Sequence, residues 1–188
     1  MDNKVKLISL NKSRRVPLIL DIVNKLAIIN NNKTLLFSFN IRSEYYYRRL
    51  ISHITGIDHK LITKYHYPYQ QIGKCVYEKI DRDKYIGAIE AIQNSNLLMS
   101  STKVFPEVDD LDYILDFDAD YLIIDNIKDL LRRTKYNFDE VIKKLCESNK
   151  HIILFINDKG KKDETLNKFK NYKEIKIEYF DKKEDSYE

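Results

Sequence analysis

Glycine is nearly absent: the chain of 188 residues holds four, and none lies between Met1 and His53. A loop that wraps phosphates with backbone N–H groups needs glycine for its φ angles and for close approach of main chain to ligand. The N-terminal part of the chain therefore cannot build such a loop in its usual form. Cysteine is limited to Cys75 and Cys146, without CxxC spacing, which argues against a zinc site or a disulfide framework. The four histidines (53, 59, 66 and 151) lack metal-ligand spacing, and no metal or other cofactor is expected. Tryptophan is missing and proline occurs three times. No apolar run approaches the roughly 20 residues that span a bilayer, and no signal peptide is visible. The expected compartment is the cytoplasm, with no membrane partner. Charge of one sign does not dominate either: 33 basic against 29 acidic residues give +4, an excess that permits nucleic-acid contact without requiring it. No internal repeat or linker is visible.

What is present reads as a globular chain, 43% hydrophobic and 33% charged. Its length suits one domain that buries roughly 70% of its unfolded surface. Abundant Lys, Asn, Ile and Tyr indicate an AT-rich coding sequence, from a low-GC bacterium or one of its mobile genetic elements. The centre of the pattern is Tyr121 to Asp129 (YLIIDNIKD). Tyr121 to Ile124 run without alternation, as in a parallel strand covered on both faces. Asp125 follows, at the strand's carboxyl end, where open α/β sheets bind ligands. Two roles fit it: a carboxylate offered to a nucleotide's Mg²⁺, or a cap for the next turn.

Core strands are expected near residues 5–10, 33–39, 97–99, 121–125, 151–156 and 174–180. Asn11 to Arg15 reads as a polar turn, and Val16 to Ile29 as a helix with Pro17 in its first turn. Ser43 is positioned to cap a helix reaching Gly56, with Tyr46, Leu50, Ile51 and Ile54 apolar. Further helices are expected over 81–94, over part of 108–118 and over 138–149, with a loop or short helix in 58–72 and a charged region over 157–171. The order predicts an α/β fold with a mostly parallel sheet and helices on both sides.

Three blocks carry a family resemblance. Lys33 to Ile57 (KTLLFSFNIRSEYYYRRLISHITGI), Asp120 to Leu130 (DYLIIDNIKDL) and Phe138 to Ile156 resemble, in order and spacing, the C-terminal RecA-like ATPase domain of DnaB-type replicative helicases. The likeness covers roughly residues 5–180. It implies a RecA-like three-layer domain over 1–181, a polar tail over 182–188, and an Asp125 matching the family's Walker B aspartate. The departures are as specific. Arg14, Arg15 and Val16 stand where the family has its Gly-Lys-Thr or Gly-Lys-Ser; arginine is a planar fork rather than a point charge, and valine lacks the metal-ligating hydroxyl. Asn40 stands in place of the water-activating glutamate, and an amide is no base near neutral pH. Lys128 replaces the sensing glutamine, and Ile156-Asn157 replaces Ser-Gln. Few residues follow Phe180, so the family's arginine finger is not expected, nor is its N-terminal helical domain. The resemblance thus implies a degenerate, truncated form without ATP turnover.

A basic-aromatic group remains: Tyr45, Tyr46, Arg48 and Arg49, with Tyr65, Tyr67 and Lys12. These residues fit base stacking and phosphate contact, a protein interface, or ordinary aromatic packing with solvated arginines. Lys12, Arg14 and Arg15 fit either a phosphate contact or a solvated loop. The acids Glu107, Asp109, Asp110, Asp112, Asp116, Asp118 and Asp120 lack a calcium-loop order and read as a solvated face. The expected function is a catalytically inactive binding module in DNA replication that contacts a replicative helicase or another replication protein as loader, adaptor or inhibitor. The alternative is a single-stranded DNA-binding accessory protein; a third reading is a residual ATPase built on Asp125. Neither partner identity nor oligomeric state is legible.

Overall fold

The computed structural model describes residues 4–66, 81–100, 109–157 and 163–180, and these form six strands, eight α-helices and one π-wound segment. The strands are β1 (Val5–Leu10), β2 (Thr34–Phe37), β3 (Leu97–Ser100), β4 (Tyr121–Ile124), β5 (His151–Asn157) and β6 (Ile175–Phe180). The helices are α1 (Lys12–Val23), α2 (Ser43–Thr55), α3 (His59–His66), α4 (Arg82–Gln93), α5 (Asp110–Asp116), α6 (Ile127–Arg133), α7 (Phe138–Glu147) and α8 (Glu164–Phe169). All five strand pairings are parallel, in the order β3-β2-β4-β5-β1-β6.

Side-chain alternation on these strands feeds two cores. Leu7, Phe37, Leu122, Ile124, Leu154 and Ile156 pack with Leu111, Ile114, Leu130, Val141 and Leu145 of α5, α6 and α7. Ile8, Leu10, Leu36, Ile123 and Phe155 pack on the other face with Ile19, Val23, Tyr46, Leu50, Ile51 and Ile92 of α1, α2 and α4. Burial on both faces explains why β4 and β5 read as apolar runs without a period.

Three local expectations are corrected. Asn11 to Arg15 is not a turn: α1 starts at Lys12, so Pro17 falls in its second turn, where its missing N–H removes the i→i−4 bond to Ser13 O. Residues 24–29 continue as a π-wound segment rather than α-helix. Ser43 does not cap α2; it is the first helical residue, and Arg42 holds the cap position without a side-chain bond. Gly56 ends that helix at φ 73°, the left-handed cap that glycine adopts without strain. Two helices went unread: α6, capped by Asn126, and α8, capped by Asp163 within the charged stretch. The turn at Pro106 and the tail 182–188 lie outside the described residues.

The acidic segment is corrected in part: Asp116, Asp118 and Asp120 are exposed as expected, Glu107 lies outside the described residues, and Asp109, Asp110 and Asp112 are buried or half-buried. Asp109 accepts from Leu111 N, Thr134 Oγ1 and Lys135 N, and Asp112 from Tyr136 Oη and Lys144 Nζ. Asp109 and Asp112 thus tie α5 to the chain around Lys135 and to α7.

A candidate site at the carboxyl edge of the sheet

Parallel strands bring all their carboxyl ends to one edge. Only Asn11 separates β1 from α1, so α1 rises directly from the sheet and the residue in its fourth position turns back toward the strands. That residue is Arg15, 6% exposed. Its Nε lies 2.7 Å from Oδ1 of Asp125, which is 1% exposed. Asp125 is held in place from two sides. Its backbone N–H extends the ladder to Phe37 O, and its Oδ2 accepts from Ser38 Oγ at 2.7 Å. Ser38 is fixed in turn, its Oγ also accepting from Ile41 N. Two charges taken out of water cost several kcal/mol each, and direct pairing offsets much of that.

Tyr46 joins this group from α2 and is corrected from the sequence reading: it is 1% exposed and cannot contact nucleic acid. Burial pushes its phenol pKa far up, the Asp125 charge adds to that, and Arg15 opposes it. Arg15 is corrected likewise, being neither a solvated loop residue nor available to an external phosphate. Four buried polar atoms of the group lack an aligned hydrogen-bond partner among the described residues: Arg15 Nε and Nη1, Asp125 Oδ1 and Tyr46 Oη.

The next positions along the edge are tied internally too. Asn40 and Asn126 both donate their side-chain amides to Asp129 Oδ2. Lys128 pairs with Asp163 and donates to Asn157 O at 3.4 Å. Burial alone would raise the Asp163 pKa, but Lys128 and the first amides of α8 outweigh it and hold the carboxyl below its usual value.

Beyond the sealed centre the edge opens. One pocket of about 770 Å³ is lined by Lys12, Ser13, Val16, Tyr45 and Arg49 among others. A neighbouring one of about 560 Å³ is lined by Asn40, Ile41, Arg42, Glu44, Tyr45 and Arg48. Tyr45 is common to both. Arg49 bonds the Tyr45 hydroxyl at 3.0 Å and covers its ring at 5.2 Å. Lys12, Tyr45, Arg48 and Arg49 are thus brought to one surface, while Arg14 is an exposed α1 residue outside these linings. Arg42 went unread, because a lone arginine before a helix carries no pattern. Tyr65 falls on α3, and Tyr67 lies outside the described residues.

An all-parallel six-stranded sheet, covered by helices on both faces and carrying its polar centre at the carboxyl edge, belongs to the RecA-like α/β class. Among solved structures the chain is similar to a DnaB-like replicative helicase described with its interactions with primase, at a TM-score of 0.58 and 15% identity. That match covers 82% of this chain and 39% of the other. It is also similar to a second solved structure, described as an ATPase domain, at a TM-score of 0.55 and 15% identity, covering 82% of this chain and 57% of that one. The chain therefore spans less than two thirds of either structure. No protein-family model and no curated protein matches the sequence. The likeness carries the fold. Among the described residues no helix is long and apolar enough to cross a membrane.

Proposed function

We propose that residues 1–181 act as one RecA-like, catalytically inactive unit: a binding module in DNA replication that contacts a replicative helicase or another replication protein. The observation that carries this reading is the buried Arg15–Asp125 pair. The fold implies a magnesium nucleotide at this edge, and the residues do not fit one. The carboxylate that would serve a metal already faces Arg15 with one oxygen and Ser38 with the other. Asn40 is a donor to Asp129 and has no basic lone pair to offer water. A helix start without glycine replaces the phosphate-wrapping loop. What remains usable is surface, and a fold similar to a helicase domain supports a partner of that kind; one neighbouring structure is described with its interactions with primase. This step is analogy from fold.

The test is sedimentation of the purified chain with a hexameric replicative helicase, followed by the helicase's own ATPase rate. Co-sedimentation that survives high salt supports the proposal; no complex at micromolar concentrations overturns it. Intrinsic hydrolysis of Mg–ATP that disappears in Asp125→Ala would overturn the inactive part. A second reading, single-stranded DNA binding, is supported by the convergence of Lys12, Tyr45, Arg48 and Arg49 around adjoining pockets. It requires affinity that falls steeply with salt and that Lys12→Glu weakens.

A further inference from the structure

The opposite end of the sheet carries a second cleft, of about 380 Å³, that neither reading above uses. That volume is within the range of small-molecule sites. Its floor is formed by the first residues of β1, β4 and β5, and its other wall by the end of α1 and the π-wound turn. Tyr121 and His151 are cross-strand partners in register, and their rings stack with centroids 5.0 Å apart at 21°. Ile22, Leu26, Ile152 and Ile153 supply an apolar lining. Three lysines complete it: Lys4 and Lys25, exposed, and Lys6, half-buried on its strand.

The cleft is also basic, as is the Lys12–Arg49 pocket at the other edge. Among the described residues no carboxylate lines it, and none of the three lysines has an acidic partner. Asp118, just before β4, is already paired with Lys33 at 2.9 Å. Some lysines elsewhere are matched to acids, as in Lys128–Asp163 and Lys144–Asp112, and others bond carbonyl or amide oxygens, as Lys150 and Lys170 do. Like charges gathered without a counter-charge create a field that attracts an anion. An adjacent ring stack with a polar edge suits a planar heterocycle. The π-wound turn brings Lys25 and Leu26 to the lining.

We propose that this amino-edge cleft binds a nucleoside phosphate, its base laid against the Tyr121–His151 stack and its phosphate held by Lys4, Lys6 and Lys25. The nucleotide is either free or part of a single strand. The inference is independent of the carboxyl-edge reading, since it needs neither Asp125 nor magnesium.

The experiment follows the imidazole proton lines of the full chain by NMR, with the His151 line assigned by comparison with His151→Gln. Metal-free adenosine monophosphate, inorganic phosphate and a thymidine pentanucleotide are titrated in turn at constant ionic strength. The expected result is a saturable shift of the His151 line with the monophosphate, at lower concentration than with inorganic phosphate. Lys25→Glu should weaken it about ten-fold or more, as loss of a charge-assisted contact does. A calorimetric titration of His151→Ala should show binding about ten-fold weaker, as loss of a stacking partner does. Lys60→Glu, an exposed change on α3 outside the cleft lining, should change nothing. Tighter binding of the pentanucleotide identifies a strand as the source, and equal binding identifies the free nucleotide; both support the cleft. Three results overturn it: no His151 shift at millimolar monophosphate, an undiminished shift in Lys25→Glu, or inorganic phosphate as effective as the monophosphate.

Discussion

The buried centre of the carboxyl edge and the open cleft of the amino edge treat charge in opposite ways. At the carboxyl edge Arg15 answers Asp125, Lys128 answers Asp163, and Asp129 accepts from two asparagines. At the amino edge Lys4, Lys6 and Lys25 surround a cleft with no acid in its described lining. Burial explains the first pattern, because a charge removed from water must find its partner inside the molecule. Exposure permits the second, because water screens what the protein leaves unpaired. Satisfied charge therefore marks where the chain has closed on itself, and unmatched charge where it can still take a ligand. In a fold similar to helicase ATPase domains, the closed edge is the one that faces ligands in open α/β sheets generally.

The hardest test of the closed edge removes one partner. Asp125→Ala strands the Arg15 guanidinium in a site with almost no water, and breaking a buried pair in this way costs ~3–5 kcal/mol. Against a total stability of ~5–15 kcal/mol, that is a large fraction. Urea denaturation should show the loss, and magnesium at ~10 mM, far above what a working metal site needs, should not stabilise the unaltered chain. Replacing both partners, Arg15→Met with Asp125→Leu, should recover most of the loss, since apolar side chains of similar volume need no counter-charge. A loss below ~1 kcal/mol in the single variant would place Asp125 in contact with water and remove the contrast between the edges.

A smaller effect is expected at Asp163. Its side chain caps α8 through Thr165 N and Leu166 N while pairing with Lys128. Asp163→Ala should cost about 2 kcal/mol, the upper end for a lost cap, with α8 as the element that opens in hydrogen exchange. The same residue sets a pH dependence. Asp109, Asp112 and Asp163 all have folded-state pKa values below their usual value of 3.8: burial opposes this in each case and is outweighed by hydrogen bonds and nearby cations. A depressed carboxylate contributes stability that is complete above its unfolded pKa and is lost as pH falls through the folded one. Denaturation midpoints should therefore hold from neutrality to about pH 5 and fall below about pH 4. Asp163→Asn, which keeps an oxygen for the cap, should make that fall shallower.

The inner strands β1, β2, β4 and β5 were legible because burial on two faces leaves a mark in sequence, and the edge strands β3 and β6, only partly buried, are also found within a residue of their expected ends. Asp125 was legible as the residue ending an apolar run. Its partner was not. Arg15 read as part of a polar turn, because the step from turn to helix at Lys12 depends on how closely α1 packs on the sheet, and no local preference encodes that. Tyr46 illustrates the same limit: its helical spacing announced a buried face, and it was assigned both to that face and to a surface. The amino-edge cleft joins residues from four separate segments (Lys4 and Lys6, Ile22 to Leu26, Tyr121, and His151 to Ile153), so only the sheet order brings it into view. A hint was present in the alternation of Lys4 and Lys6 about the buried Val5, which sets both lysines off the face that Val5 buries.

The smallest expected change is the one that separates the two edges most cleanly. Lys25→Gln removes a charge that has no acidic partner among the described residues, so nothing is orphaned. An exposed substitution of this kind moves stability by no more than ~0.5 kcal/mol. Its sign is the informative part. If three lysines repel one another across the cleft, neutralising one should raise the denaturation midpoint slightly at low ionic strength, and the gain should vanish when added salt screens the repulsion. At the carboxyl edge the opposite holds: removing Asp125 is costly at any ionic strength, because salt does not enter a pair buried on both sides. A destabilised Lys25→Gln would mean that Lys25 has an internal partner after all, and the amino edge would then be as closed as the other.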